Sequence, residues 1–197
     1  KLPSNVLESA DSVRCEQGQP EVITQADIND LRKCLTKLRD KTIFELLVGC
    51  GLRVSELCQL NKNDIDLDNK LFRVCGKGFK ERVVPFTNGI REILSAYLES
   101  RKDNHHSLFI DVSQKRLSRR AVTQLVYRWC GRAKIARISP HCLRRSFATN
   151  MLRNGADINA VQDILGHSEL STTQRYLAVD VDSLKNAVKK YHPSFSR

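Results

Sequence analysis

Residues 71–85 read LFRVCGKGFKERVVP. Leu71 to Cys75 and Arg82 to Val84 are short runs rich in β-branched and aromatic residues. They flank the turn Gly76-Lys77-Gly78, so the stretch predicts a hairpin of two short strands. On either side the period becomes helical. Upstream, Thr24-Gln25-Ala26-Asp27 resembles a capping box opening a helix with Ile28, Leu31, Leu35 and Leu38 on one face. A second helix runs from about Lys41 to Cys50 and stops at Gly51, a favourable residue just past a helix end. A short third helix starts near Val54 or Ser55 and carries Leu57.

Downstream, a helix opens at Thr87 with Ile90, Ile93, Leu94 and Leu98 apolar. Leu108 to Ile110 is either another strand or a buried connector. A basic helix spans about Ser118 to Lys134, and Ser139-Pro140 opens the next, with proline in the first turn. Asp157 and Ser171 cap two shorter helices. Leu184, Val188 and Tyr191 fall at helical spacing within 181–191. There are no internal repeats. The sum is a mainly helical α+β domain with one small antiparallel sheet.

The 197 residues suffice for one good-sized domain, and 41% hydrophobic with 28% charged residues is ordinary for a folded soluble chain. No apolar run approaches the ~20 residues of a membrane span, and the N-terminus lacks a signal-peptide pattern. Ile43 to Cys50, the longest apolar stretch, is broken by Glu45. We therefore expect a cytoplasmic protein. Seven scattered cysteines fit reduced thiols, and none forms a Cys pair or Cys/His cluster with zinc-ligand spacing. Thirty-three Lys and Arg against 22 Asp and Glu give a formal charge of +11. Such a surplus attracts polyanions, DNA or RNA being the usual ones.

Six residues are candidates for chemistry, and each has a plainer role. Arg53 follows a helix end and could simply pair with Glu56 at the surface. Lys77 sits at a glycine-flanked hairpin tip, where a solvated lysine is ordinary. His141 and Arg144 are three apart on a helix and so share a face. His167 follows Gly166 at a turn between helices and could serve as a cap. Tyr176 could be a half-buried structural tyrosine.

The order and spacing of all six change that balance. The segments GLRVSEL (51–57), GKGFKERVVP (76–85), SPHCLRRSFATNML (139–152) and ILGHSELSTTQRYL (164–177) closely resemble the tyrosine recombinase, or phage integrase, family, and its Xer-type members most of all. The resemblance runs from about Val22 to Tyr191-His192-Pro193. It implies the tyrosine recombinase catalytic-domain fold. It also implies that Arg53 and Arg144 are the two catalytic arginines, Lys77 the hairpin lysine, His141 and His167 the active-site histidines, and Tyr176 the nucleophile.

The chemistry of those roles is coherent. Attack on a phosphodiester raises the charge on the equatorial oxygens, and two guanidiniums can each donate paired hydrogen bonds to them. A tyrosine, with a free pKa of ~10, needs help to attack at neutral pH, and His141 is a candidate proton acceptor. Lys77 fits a general acid for the departing 5′ oxygen. The covalent 3′-phosphotyrosine conserves the bond energy, so religation needs no nucleotide cofactor; no metal is required either, in keeping with the absence of a carboxylate cluster. The implied partner is double-stranded DNA bearing a specific recombination site, held by a homo- or hetero-tetramer. Lys80, Arg82, Arg119, Arg120 and Arg128 are expected backbone contacts. Nicking and closing, as in type IB topoisomerases, and DNA binding by a decayed site are the alternatives.

The family usually has His after the second arginine, where this chain has Arg145. Residues 1–20 read as a linker from a preceding DNA-clamping domain, 21–180 as the catalytic domain, and 181–197 as a C-terminal helix and tail. In the family that helix is exchanged with a neighbouring protomer; otherwise it folds back on its own domain.

Overall fold

A computed structural model describes residues 23–75, 81–166 and 181–192. In chain order these residues form α1 (Gln25–Cys34), α2 (Leu38–Gly49), α3 (Val54–Gln59), β1 (Ile65–Asp66), β2 (Leu71–Cys75) and β3 (Glu81–Pro85). There follow α4 (Asn88–Ser100), α5 (Arg119–Ala133), α6 (Pro140–Arg153), α7 (Ile158–Leu165) and α8 (Val181–Tyr191). The domain is mainly helical with one antiparallel sheet, as its sequence implies.

The helix starts are local events. The Thr24 hydroxyl accepts from the Asp27 N–H, and the Asp27 carboxylate accepts from the Thr24 N–H, each at 3.1 Å. Side chains of Thr87, Ser118, Ser139 and Asp157 cap α4, α5, α6 and α7 in the same manner. The predicted Ser171-capped helix lies outside the described residues.

One boundary differs from the sequence reading. The helical period continues α1 through Leu35 and Leu38, whereas the chain leaves α1 after Cys34 and begins α2 at Leu38. Leu35 and Lys37 are extended. The break separates a helix lying against α5 from one lying between α4 and α6. That central helix buries Ile43, Phe44, Leu46, Leu47 and Val48, apolar on nearly every side. Trp129 of α5 meets Phe44 edge-on, with ring centroids 6.1 Å apart.

In the sheet, β2 pairs with β3 with Phe72 opposite Val84 and Val74 opposite Arg82. These four side chains form its buried face. A third strand, β1, pairs with Leu71 and Phe72. The sequence does not reveal it, because two residues carry no period. Leu108 to Ile110 is a buried connector rather than a strand, flanked by the isolated bridges Asn61–Ser107 and Ile110–Arg116. It is held by hydrogen bonds such as Leu108 N–H to Leu60 O and Tyr97 O–H to Leu108 O.

Gly51 sits just past the end of α2 with φ +59°, a left-handed conformation. A Cβ there would lie 2.5 Å from Phe147 Cδ1 and 2.9 Å from Leu165 Cδ2. Gly51→Ala is therefore expected to cost about 2–4 kcal/mol, from left-handed strain together with overpacking. Gly131→Ala is the control, since nothing lies within 4 Å of a Cβ added there. On an exposed helical face it should instead stabilise by roughly 0.5–1 kcal/mol. Urea unfolding of both variants checks the contrast.

The C-terminal helix α8 packs on its own chain, against α6, α7 and β3, and buries Leu184 and Val188. Asn154 Nδ2 donates to the Tyr191 carbonyl at 3.0 Å. Among the described residues, no helix is long and apolar enough to cross a membrane.

Candidate active site

The turn at Gly51 delivers Arg53 to the start of α3. Glu56, at the third position of that helix, reaches back and accepts from the Arg53 backbone N–H at 2.8 Å. The same carboxylate accepts from Arg53 Nη1 at 2.8 Å. It also takes a two-pronged pair from Arg82 on β3, at 2.5 and 2.9 Å. Arg144 Nη1 of α6 lies 3.9 Å from it. Glu56 is 3% exposed, Arg144 5% and Arg82 8%, so these charges are held in the interior. Burial by itself would push the Glu56 carboxyl up. The hydrogen bonds and charge of Arg82, the Arg53 N–H and the charge of Arg144 outweigh it and hold that carboxyl below its usual range.

The arginines also converge on the end of α7. A helix leaves its last carbonyls without partners inside the helix, and they carry the negative end of its dipole. Here Arg82 Nε donates to Ile164 O at 3.1 Å, Arg144 Nη2 to Leu165 O at 2.6 Å, and Arg53 Nη2 to Gly166 O at 3.1 Å. Arg144 Nη1 further donates to Gly51 O at 2.6 Å. Gly166 is left-handed, with φ +68°, and a Cβ there would crowd the Arg82 side chain at 2.9 Å. Three guanidiniums against one carboxylate leave a net positive cluster, fixed by backbone carbonyls from the turn after α2 and from the end of α7. Such a cluster suits an anion whose charge grows during reaction.

The structure thus brings Arg53 and Arg144 together, although 91 residues of sequence separate their positions in the chain. Arg53 remains partly exposed at the rim while Arg144 is buried. His141 lies in the first turn of α6, one turn before Arg144, and is exposed. Lys77, Lys80, His167 and Tyr176 lie outside the described residues. Gly166, whose carbonyl takes the Arg53 bond, immediately precedes His167 in the chain.

Two readings change. Arg82 is no surface contact for a DNA backbone. Its guanidinium is buried and engaged with Glu56 and Ile164 O. Strand parity carries that signal, since Arg82 shares the inward face of β3 with Val84. Glu56, which the sequence suggests only as a surface partner of Arg53, is the buried hub. Its signal is a glutamate three residues after the residue that starts a helix. Arg119, Arg120 and Arg128 are exposed on α5, whereas Val122, Leu125, Val126 and Trp129 are buried. Among the described residues, no group of His, Cys, Asp and Glu could hold a metal ion.

The domain thus gathers two arginines of distant helices around one helix end, an arrangement chemically able to hold a phosphate-like anion. The chain belongs to the phage integrase family, whose sequence model matches residues 21–182. It is 46% identical over 177 residues to the tyrosine recombinase XerA of Thermococcus onnurineus, covering 87% of this chain and 62% of that relative. Similarity to the tyrosine recombinase XerD of Staphylococcus saprophyticus is 39% over 180 residues, 88% of this chain and 61% of the relative. The chain therefore spans about three fifths of the length of these relatives. A crystal structure of XerA recombinase is similar at a TM-score of 0.72 and 28% identity, covering 90% of this chain and 67% of that one. The integrase of mycobacterium phage Brujita is similar at 0.76 and 25%, covering 93% and 62%.

Proposed function

We propose that this chain is the strand-cleaving and rejoining part of a site-specific tyrosine recombinase acting on double-stranded DNA. The observation that carries the reading is the convergence of Arg53 and Arg144 on the α7 terminus, directly before His167 in sequence. The names of its relatives, tyrosine recombinases XerA and XerD, support it.

In this reading the Tyr176 hydroxyl oxygen attacks the scissile phosphorus. The phosphorus–O5′ bond breaks, and a 3′-phosphotyrosine forms. His141 accepts the phenolic proton, and Lys77 supplies the proton that the departing 5′ oxygen needs. Arg53, Arg144 and His167 donate to the phosphoryl oxygens, whose charge peaks in the transition state. The guanidiniums never lose their charge at working pH, and their carbonyl partners fix their planes beforehand. Attack by a 5′ hydroxyl from another duplex reverses the step and joins new strands. Repeating it on the second strand pair passes through a Holliday junction within a tetramer. Exposed Arg119, Arg120 and Arg128 meet the DNA backbone.

The test is a nicked duplex carrying the recombination site, from which a short 5′ fragment escapes after cleavage. A DNA-shifted protein band on a denaturing gel supports the reading. Its absence, with DNA that the protein demonstrably binds, leaves a binding module instead. Lys77→Ala should slow cleavage of an ordinary substrate by about 100-fold or more, the range for a general acid. A 5′-phosphorothiolate substrate, whose thiolate leaves without a proton, should recover most of that loss. Equal slowing on both substrates would remove Lys77 from the general-acid role.

A further inference from the structure

The turn that launches Arg53 is held from two directions. From α6, Arg144 donates to the Gly51 carbonyl, and Phe147 one turn later packs against Gly51 itself. From the far end of the chain comes His192, the residue after α8. Its Nε2 lies 2.6 Å from the carbonyl oxygen of Gly49, the last residue of α2. A carbonyl can only accept, so Nε2 carries the proton and donates it. His192 is 3% exposed, and its ring meets Phe147 with centroids 6.1 Å apart. The approach depends on Gly49, because a Cβ there would lie 3.1 Å from His192 Nε2 and 2.9 Å from Ile90 Cδ1.

Gly49 and Gly51 therefore form a backbone segment whose two carbonyls are gripped separately, one by Arg144 and the other by His192. Leu184 and Val188 already bury the apolar face of α8, so a hydrophobic side chain at 192 would satisfy docking alone. A polar, hydrogen-bonded imidazole at this point instead ties the C-terminal segment to the backbone that positions Arg53 and accepts from Arg144. We propose that His192 is a positioning residue, whose hydrogen bond to the Gly49 carbonyl holds the turn that delivers Arg53 to the Arg53–Glu56–Arg144 cluster. The inference rests on reading that cluster as the active site.

The experiment compares the full chain with His192→Phe and His192→Gln, each labelled with 15N in arginine and asparagine side chains. The Asn154 side-chain amide, bonded to Tyr191 O, reports whether α8 stays docked. The guanidinium resonances of Arg53 and Arg144 report the cluster. In His192→Phe both arginine signals should move while the Asn154 signal keeps its docked position. Covalent adduct on nicked DNA should then fall by about 10-fold or more, as misplaced catalytic groups produce. His192→Gln, which keeps a donor, should return the arginine signals towards wild type and the adduct to within about 3-fold.

Arginine signals unchanged in His192→Phe would overturn the proposal. So would signals that move only when the Asn154 marker is lost, since His192 would then serve docking alone. The spectra decide this without any turnover. A wild-type chain that gives no adduct, with its arginine signals responding as described, would refute the recombinase reading separately.

Discussion

Tyr176→Phe is expected to abolish covalent attachment to DNA, with no shifted band on a denaturing gel, while salt-sensitive DNA binding persists. The reason is stoichiometric. In the proposed mechanism the phenolic oxygen is the atom that forms the new bond to phosphorus, and phenylalanine offers none. Removing a group that acts only in the transition state lowers the rate without lowering ground-state affinity. The charge of +11, which favours binding of a polyanion, is untouched by the change. Binding should still weaken steeply as salt rises, with the slope of the wild type. An adduct that survives the substitution would take the nucleophile away from Tyr176 and return that tyrosine to a structural role.

Glu56→Ala should be strongly destabilising. The carboxylate is the shared counter-charge for Arg53, Arg82 and Arg144, two of which are buried. Breaking a buried ion pair by deleting one partner costs about 3–5 kcal/mol, because the remaining charge is stranded. With a urea slope of roughly 1–3 kcal/mol per molar, the midpoint should fall by about 2 M. The sign of the pH effect follows from the lowered carboxyl. Its folded value lies below the unfolded one, so its stabilisation is complete above about pH 4.3, the ordinary glutamate value. That contribution disappears as pH falls through the lower folded value. Glu56→Gln should lose stability at neutral pH and show a smaller further loss on acidification than wild type. A Glu56→Ala midpoint within about 0.3 M of wild type would mean that water or rearranged carbonyls replace the carboxylate.

The two variants separate chemistry from architecture. Tyr176→Phe should leave the urea midpoint nearly unmoved, whereas Glu56→Ala should disturb fold and arginine geometry together. The His192 variants fall between them, with the cluster shifted on a domain that remains folded.

Much of the molecule was legible in the sequence, for reasons confined to a few neighbouring residues. Thr24, Thr87, Ser118, Ser139 and Asp157 begin helices because their oxygens cap N–H groups two or three residues ahead. The pairing of β2 with β3 follows from a period of two on either side of a glycine-rich stretch of sequence, and Gly51 from the need for a left-handed residue past α2. The family resemblance likewise rests on short stretches that can be read in a line. The rest depends on partners far apart in the chain. Whether α1 continues through Leu38 is decided by α4, α5 and α6, which need two separate helices to cover. Whether α8 lies on its own domain is decided by β3, α6 and α7.

Arg82 and Glu56 make the same point within the site. Each looks like a surface charge in its own segment, yet they meet across 26 residues, while Arg53 and Arg144 reach α7 carbonyls 113 and 21 residues away. A buried charge is tolerable only where a counter-charge and carbonyl acceptors arrive together. Capping and turn chemistry are closed within one turn of backbone, so the sequence determines them alone. The charge cluster is closed only when α3, α6, α7 and β3 pack, and so only the tertiary structure could decide it.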